Sequence, residues 1–197
     1  MNCDANKFVR FGFIDNDAFD CIDFRMIDGT PTYLIDGVGS DFLFIDSLRK
    51  KEGRALGFIP KAVYESILEK RRVANRDRWK YSKIVITKDN GEETGFCYFT
   101  FAGQDVHIQQ IVIRQDARRW HRALMMLDHV EDIAKKYGKT SITARVAVDL
   151  ESNLFWSGCG YNITATTTST WLNQKESKSK RPLHYYVKYI NSLFNED

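Results

Sequence analysis

Residues 105–138 read DVHIQQIVIRQDARRWHRALMMLDHVEDIAKKYG, and their pattern predicts a strand, a short turn and a long helix in direct succession. The β-branched apolar run at 108–113 has no helical spacing, which favours a strand. From residue 120 onward apolar side chains recur every three or four positions, and the pattern stops at Gly138, a common residue just past a helix end. The predicted buried face consists of Trp120, Leu124, Leu127, Val130, Ala134 and Tyr137.

The turn between the predicted strand and helix is rich in arginine, with Arg118, Arg119 and Arg122 around the helix start. The first turn of a helix leaves backbone N–H groups without partners and carries a partial positive charge. Arginines at this place therefore indicate an anion site, most simply for phosphate. The alternative is that they are solvated side chains on an ordinary strand–helix junction.

The composition suits one globular domain with an appendage. The chain has 197 residues, of which 43% are hydrophobic and three are proline. No N-terminal apolar run resembles a secretory signal, and no run of about 18 apolar residues predicts a membrane span, so we expect a cytoplasmic protein without membrane contact. The four cysteines are widely spaced, which fits free thiols better than a metal site or a disulfide framework, and we expect no metal.

The net charge is only +3, but the charges are unevenly distributed. Residues 1–46 contain nine acidic and three basic residues, whereas residues 47–83 contain four acidic and twelve basic residues. Such asymmetry indicates either a polyanionic partner or a solvated basic segment that is balanced by an acidic one within the same fold. The densest basic cluster is Lys70, Arg71, Arg72, Arg76, Arg78 and Lys80.

The remaining elements are predicted from local patterns. Residues 8–38 contain three short β-rich runs separated by Asp, Asn and Gly turns, and DFLFID at 41–46 reads as a compact strand. A helix is expected to begin at Pro60, with Val63, Tyr64, Ile67 and Leu68 as its buried face. A hairpin over 83–103 turns at Asn90-Gly91, a dipeptide suited to positive φ. Strand, short helix, strand and strand follow at 140–148, 149–161, 162–172 and 183–190.

From about residue 41 to 190, this order of elements resembles the GNAT superfamily of acyl-coenzyme A dependent N-acyltransferases. The segment 118–123 lies where that family has its pyrophosphate loop, with Arg118 and Ala123 matching and His121 replacing the first glycine. Residues 149–161 resemble the second signature, which ends in an aromatic pair and a Gly-aromatic dipeptide. The strand at 109–113 corresponds to the one whose backbone pairs with the pantetheine arm.

The resemblance implies an α/β fold with a central mixed sheet of about seven strands and a long helix after the central strand. Residues 1–40 are then a β-rich N-terminal extension, and residues 41–197 form the acyltransferase domain. The implied cofactor is acetyl-CoA or another acyl-CoA. The implied cofactor-binding residues are Ile111, Val112, Ile113, Arg118, Arg119, Trp120, His121, Arg122, Ala123, Asn153 and Trp156.

Three residues are candidates for the proton transfers that amine acylation needs. His107 and Asp149 are candidate bases, and each has a structural alternative, as a loop residue and as a helix cap respectively. The family often places a tyrosine acid in the short helix, where this chain has Trp156, whose indole cannot deliver a proton. Tyr161 or a water molecule would then serve as the acid.

Three classes of function remain open. The first is transfer of an acyl group to a small-molecule or protein amine by direct attack on the thioester. The second is nucleic-acid modification or binding, as in a bacteriophage branch of the superfamily that modifies DNA, with the basic cluster joined by Lys178, Lys180 and Arg181. The third is a degenerate, non-catalytic member. The sequence does not indicate an oligomeric state.

Overall fold

The computed structural model of the chain describes residues 21–57, 59–72, 76, 78–118, 121–170 and 180–190. Four helices flank one sheet. The helices are α1 (Phe42–Leu56), α2 (Lys61–Leu68), α3 (Arg122–Lys136) and α4 (Ser152–Gly158). The strands are β1 (Cys21–Ile27), β2 (Thr30–Asp36), β3 (Ser82–Asp89), β4 (Glu92–Ala102), β5 (Asp105–Ile113), β6 (Ser141–Ala147), β7 (Asn162–Thr170) and β8 (Lys180–Tyr189).

The eight strands form a mixed sheet in the order β1-β2-β3-β4-β5-β6-β8-β7. β5 and β6 pair in parallel, because α3 carries the chain back across the sheet between them, and the other neighbouring pairs are antiparallel. The predicted mixed α/β fold with a long helix after the central strand is confirmed. None of the described helices is long and apolar enough to cross a membrane.

A hydrophobic core lies on each face of the sheet. On one face, α3 and α4 pack through side chains such as Met126, Val130 and Trp156. On the other face, α1 and α2 pack through Ile45, Tyr64 and their neighbours. The sheet is therefore covered by helices on both faces. A gap between two of its strands would connect the layer of α1 and α2 with the layer of α3 and α4.

The buried faces of the helices agree with the predictions in part. Val63, Tyr64, Ile67 and Leu68 of α2 are all buried. On α3, Leu127, Val130 and Ala134 are buried, but Leu124 is only half-buried and Tyr137, beyond the helix end, is 57% exposed. Trp120 lies outside the described residues. The expected tight turn at Asn90-Gly91 is confirmed, since both residues have positive φ.

The prediction of a strand at 41–46 is wrong, because these residues begin α1. Phe42, Ile45 and Leu48 are buried at a spacing of three residues, which is the periodicity of a helix. The buried carboxylate of Asp41 accepts a hydrogen bond from the Val38 N–H at 2.9 Å and so supports the helix start. The helix continues through the polar residues 50–54 and ends at Leu56.

The N-terminal segment joins the sheet as far as it is described. β1 pairs with β2, and β2 pairs with β3 over the register Thr32–Asp89 to Asp36–Val85. Residues 21–40 therefore share one sheet with the rest of the chain, and residues 1–20 lie outside the described residues. The boundary at residue 40 stays a prediction about where the acyltransferase domain begins.

Candidate functional site

The central feature of the site is the point at which β5 and β6 part. Their parallel pairing runs from Asp105–Ser141 to Ile108–Ala144 and then stops, although both strands continue. The backbone of residues 109–113 therefore has a strand partner only on its β4 side. A V-shaped slot opens between the two strands toward their carboxyl ends.

A β-bulge in β5 lies at the same point. Tyr98 of β4 pairs with Gln110 and the next residue, Phe99, pairs with Ile108, so Gln109 is the extra residue. An extra residue bends the bulged strand and increases its local twist. The bulge directly follows Ile108, the last β5 residue that pairs with β6, and it accounts for the divergence of the two strands.

The bulge also reverses which side chains of β5 face each helical layer. Before it, Val106 and Ile108 pack in the core under α3. After it, Val112 packs in the core under α1 and α2, and Gln110 bonds to Tyr64 of α2. His107, which alternates with Val106 and Ile108, therefore faces the α1/α2 side.

A cavity of about 650 Å³ lies beside the bulge on the α1/α2 side, and we refer to it as the α2 cavity. Its described lining residues are Ile59, Pro60, Val63, Arg76, Arg78, Tyr81, Ser82, Tyr98, Thr100, Phe101 and Gln109. A second cavity of about 170 Å³ includes His107, Thr143 and Tyr185. Gln109 lines both cavities, so the two meet at the bulge.

A row of polar residues crosses the sheet between the two cavities. Ser82 pairs with Thr100, Thr100 with His107, and His107 with Thr143. Directly opposed residues on adjacent strands point to the same face. The His107 Nδ1 is in hydrogen-bond contact with the Thr143 hydroxyl. The imidazole is therefore held in place beside the bulge, and the loop position considered for His107 is not observed.

Gln110 is a buried polar residue that sequence reasoning missed. Its Oε1 accepts a hydrogen bond from the Tyr64 hydroxyl at 2.5 Å, and its Nε2 donates to the Leu56 carbonyl at 3.0 Å. Burial raises the pKa of Tyr64 to about 12. These bonds fix the bulge against α1 and α2. An amide inside an otherwise apolar strand was the one available signal, since a buried amide needs partners.

The start of α3 presents open backbone amides. The first helical hydrogen bond runs from the Met125 N–H to the His121 carbonyl at 3.0 Å, so the amides before Met125 lack acceptors within the helix. The His121 side chain forms no capping bond. A 15-residue helix with an uncapped start suits a pyrophosphate, and this end of the helix follows the slot in the chain.

His121 has a left-handed backbone conformation. Its φ is 57°, in the region that glycine adopts without cost. Arg119 and Trp120 lie outside the described residues, and Ala123 is half-buried in the first turn of α3.

Arg122 was predicted to bind the cofactor phosphate, and this stays a prediction, while the structure shows its side chain engaged within the protein. Its side chain is 7% exposed and pairs with Asp89, whose Oδ2 accepts from Nε at 2.7 Å. Its Nη1 donates to the Ala117 carbonyl at 3.0 Å. The guanidinium is thus buried between α3 and the end of β3, where it anchors the helix start instead of facing solvent.

Arg118 is also engaged within the protein. Its Nε donates to the Ile113 carbonyl at 3.1 Å, and its Nη2 pairs with Glu52 of α1. The side chain remains 45% exposed, so it borders the open end of the slot. The phosphate-binding prediction therefore rests mainly on the backbone amides at the start of α3. Arg118 lies nearby, but its guanidinium already pairs with the carboxylate of Glu52.

The candidate acid and second base are not near His107. Asp149 follows the last residue of β6, is 56% exposed and receives hydrogen bonds of 2.8 and 3.0 Å from Arg181. Helix α4 is instead preceded by Glu151, so the capping role considered for Asp149 is not observed. His107 lies at the opposite end of β6, beside Thr143.

Tyr161 and Trp156 lie in the core on the α3/α4 side of the sheet. The Tyr161 side chain is 2% exposed, and its buried hydroxyl has no described partner. Burial raises the pKa of the Tyr161 phenol above its ordinary value. Trp156 packs against Tyr161 and Tyr186. Both positions suit packing, and the acid role of Tyr161 and the cofactor contact of Trp156 stay predictions.

Asn153 forms hydrogen bonds that fix the turn between β6 and α4. Its Nδ2 donates to the carbonyls of Ala147 at 2.9 Å and Leu150 at 2.6 Å, and its Oδ1 accepts from the Tyr186 hydroxyl at 3.0 Å. This amide therefore holds the turn at the open end of the slot. These bonds give Asn153 a structural role, and its cofactor contact stays a prediction.

Among the described residues, the basic side chains of the two predicted clusters lie at opposite ends of the sheet. Arg78 precedes the start of β3, at the end of the sheet where β5 begins. Arg181 lies near the start of β8, at the opposite end, and is paired with Asp149. Arg71 pairs with Glu69. Lys178 lies outside the described residues, so its part in the prediction is not addressed by the structure.

A sequence model described as the acetyltransferase (GNAT) family matches residues 41–161, which is more than half of the chain. The chain belongs to this family. The chain is accordingly an N-acyltransferase that uses acetyl-CoA or another acyl-CoA as cofactor. No curated protein sequence gives a significant match.

Solved structures agree in fold. NAA60 from Arabidopsis thaliana in complex with a bisubstrate analogue has a TM-score of 0.69 at 9% identity, covering 82% of this chain and 99% of that chain. The ribosomal-protein-S18-alanine N-acetyltransferase from Escherichia coli has a TM-score of 0.60 at 14% identity, covering 81% and 94%. A Bacillus anthracis structure in complex with acetyl coenzyme A has a TM-score of 0.50 at 16% identity, covering 55% and 62%. At these identities the likeness is one of fold.

The buried Arg122–Asp89 pair predicts a large loss of stability when one partner is removed. Arg122→Met leaves the Asp89 carboxylate without its buried cation and should lower the free energy of unfolding by about 3–5 kcal/mol. Arg118→Met removes a half-exposed pair and should cost about 1 kcal/mol or less. Urea denaturation measures both values. Equal losses in the two variants would contradict the anchoring role of Arg122.

The left-handed backbone at His121 predicts that a glycine at this position gives a more stable protein than an alanine. His121→Gly should be more stable than His121→Ala by about 1 kcal/mol, because alanine retains the steric cost of positive φ. Thermal or chemical denaturation compares the two. The glycine variant should also bind coenzyme A at least as tightly as the parent in calorimetry. An alanine variant that is the more stable of the two would show that the loop does not have this conformation.

Proposed function

We propose that the chain transfers an acetyl group to an amine bound in the α2 cavity, with His107 as the proton acceptor. The observation that carries this proposal is the coincidence of three features at one point of β5. The strand pairing with β6 ends there, the bulge lies there, and the α2 cavity opens there through Gln109.

The slot between β5 and β6 suits the long arm of the cofactor. The backbone of residues 109–113 offers an unpaired strand edge on its β6 side, and backbone groups of this kind bind an extended chain by hydrogen bonds. Ile111 and Ile113 provide apolar contacts on the α3 side, while Val112 is buried under α1 and α2. The amides at the start of α3 would hold the pyrophosphate.

Acetyl-CoA supplies an acyl group that is already activated as a thioester. The protein therefore needs to position an amine and remove its proton, which positioned side chains achieve by proximity and general base catalysis. As the C–N bond forms, the thioester C–S bond breaks, and coenzyme A leaves as a thiolate that takes up a proton from water. His107 is placed for the second task. Its Nδ1 is held by Thr143, which leaves Nε2 as the nitrogen that accepts the proton.

The alternatives for the base are less well placed. Asp149 shares its carboxylate with Arg181 at the far end of β6. Tyr161 was a candidate for the acid and not for the base, and its hydroxyl is enclosed in the core on the other side of the sheet. His107 is the candidate that lies on the same face as the α2 cavity and in a strand pair with Thr100, a residue of its lining.

The form of the α2 cavity favours a small molecule as the acceptor. A volume of about 650 Å³ lies within the range of about 300–1,000 Å³ that is usual for small-molecule sites. A protein N-terminus remains an acceptor of the same chemistry. No described feature favours nucleic acid, since the two basic clusters lie at opposite ends of the sheet.

His107→Gln tests this assignment. The variant keeps a polar side chain beside Thr143 but removes the base, so kcat should fall by about a hundredfold or more, with the KM for acetyl-CoA unchanged. The amine and the base both work in their deprotonated forms, so the parent rate should decline as the pH is lowered, and the decline should be shallower in the variant, where only the amine contributes. Release of free thiol from acetyl-CoA in the presence of an amine measures both.

His184→Gln provides the control for the loss of an imidazole. His184 lies on β8, where its Nδ1 contacts the Thr166 hydroxyl at 3.0 Å, away from the bulge. Its pH profile and kcat should match those of the parent. A His107→Gln variant that keeps the parent kcat and pH profile would remove His107 from the mechanism.

A further inference from the structure

The α2 cavity has an unusual charge for a site that binds an amine. Of the eleven lining residues in the described part of the chain, Arg76 and Arg78 are cationic and none carries a carboxylate. A cationic amine would gain no ion pair with this lining. The lining therefore recognises some part of the acceptor other than its amino group.

Both arginines are available to a ligand. Arg76 and Arg78 are exposed, and neither forms an ion pair with any part of the chain that the structure describes. Other basic residues of the same segment differ, since Arg71 pairs with Glu69 and Lys61 with Glu65. Two guanidinium groups without carboxylate partners on one cavity make a site for an anion, because their planar donors match carboxylate and phosphate oxygens.

The remaining lining residues fit a small polar molecule with a short apolar part. Ile59 and Val63 give one side of the cavity an apolar surface. Ser82, Thr100 and Gln109 add hydroxyl and amide groups that lead toward His107. Burial raises the pKa of the Tyr98 phenol, and the hydrogen bond with Ser82 and the nearby charge of Arg78 oppose this rise.

The arginines and the bulge lie at different parts of the same cavity. Arg76 and Arg78 come from the segment before β3, whereas Gln109 belongs to β5. β4, which contributes Tyr98 and Thr100, lies between β3 and β5 in the sheet. A molecule that spans the cavity would thus place an anionic group at the arginines and its amine at the bulge.

We propose that the acceptor is a small amine that also carries a carboxylate or phosphate group, which Arg76 and Arg78 bind. This inference rests on the proposed function for the place of the amine, but the anion site stands on the cavity itself. In this proposal, Arg76 and Arg78 select the substrate by binding its anionic group, and neither residue takes part in the acyl transfer.

Matched pairs of amines test the proposal by calorimetry on the full chain. One pair is O-phosphoethanolamine and ethanolamine, and the other is β-alanine and β-alaninamide. In at least one pair the anionic member should bind at least about tenfold more tightly, as expected from one charge-assisted hydrogen bond. The pair with the larger preference distinguishes a phosphate from a carboxylate.

The double variant Arg76→Gln/Arg78→Gln should lose this preference. Lys136→Gln removes an exposed cation on α3, on the other side of the sheet, and should keep it. Equal affinities within both pairs, a preference that survives in the double variant, or no binding of any of the four amines would each overturn the proposal.

The proposed function is tested separately in the same samples. Coenzyme A titrated into the double variant should bind as it does to the parent, because both arginines lie away from the slot. Failure of coenzyme A to bind the parent chain would refute the proposed function while leaving the anion preference measurable. Loss of the anion preference with normal coenzyme A binding would refute the specificity alone.

Discussion

The limited pairing between β5 and β6 is the constraint on which the rest of the site depends. Four residue pairs, from Asp105–Ser141 to Ile108–Ala144, join the two halves of the sheet before the bulge at Gln109 turns β5 away. A continuous sheet would satisfy every backbone group and leave no opening. Here the backbone of residues 109–113 is left with one free edge between two helical layers, and such an edge needs a hydrogen-bonding partner.

Buried polar contacts hold both sides of this opening. Gln110 binds Tyr64 and the Leu56 carbonyl, which fixes β5 against α1 and α2. Asn153 holds the chain after β6 through the carbonyls of Ala147 and Leu150. Leaving a buried group of this kind unpaired costs about 1–3 kcal/mol. The opening is therefore maintained by specific contacts and does not depend on the presence of a ligand.

Sequence reasoning identified the elements that are governed by local pattern. The spacing of Leu127, Val130 and Ala134 predicted the buried face of α3, and Asn90-Gly91 predicted the hairpin turn. The prediction failed at residues 41–46, because a run of six residues is too short to distinguish a strand from the start of a helix. The buried spacing of Phe42, Ile45 and Leu48 becomes visible only when the helix is followed to Leu56.

The bulge and the roles of the arginines were not predictable in this way. A bulge is defined by the register with a partner strand, and the pairing of Tyr98 with Gln110 is not encoded in the local sequence of β5. Arg122 likewise resembled a phosphate ligand because its partner Asp89 is 33 residues away in the chain. Arg76 and Arg78 were recognised only as members of a basic cluster, since their position on the α2 cavity depends on the tertiary fold.

The free edge of β5 is tested most directly by amide hydrogen exchange with and without coenzyme A. If the cofactor pairs with this edge, exchange should slow at residues 109–113 and at the first turn of α3. The antiparallel pair β2–β3, which has no free edge at this site, should exchange at the same rate in both samples. Binding of coenzyme A without slower exchange at residues 109–113, or with protection confined to another part of the sheet, would contradict the account of the slot.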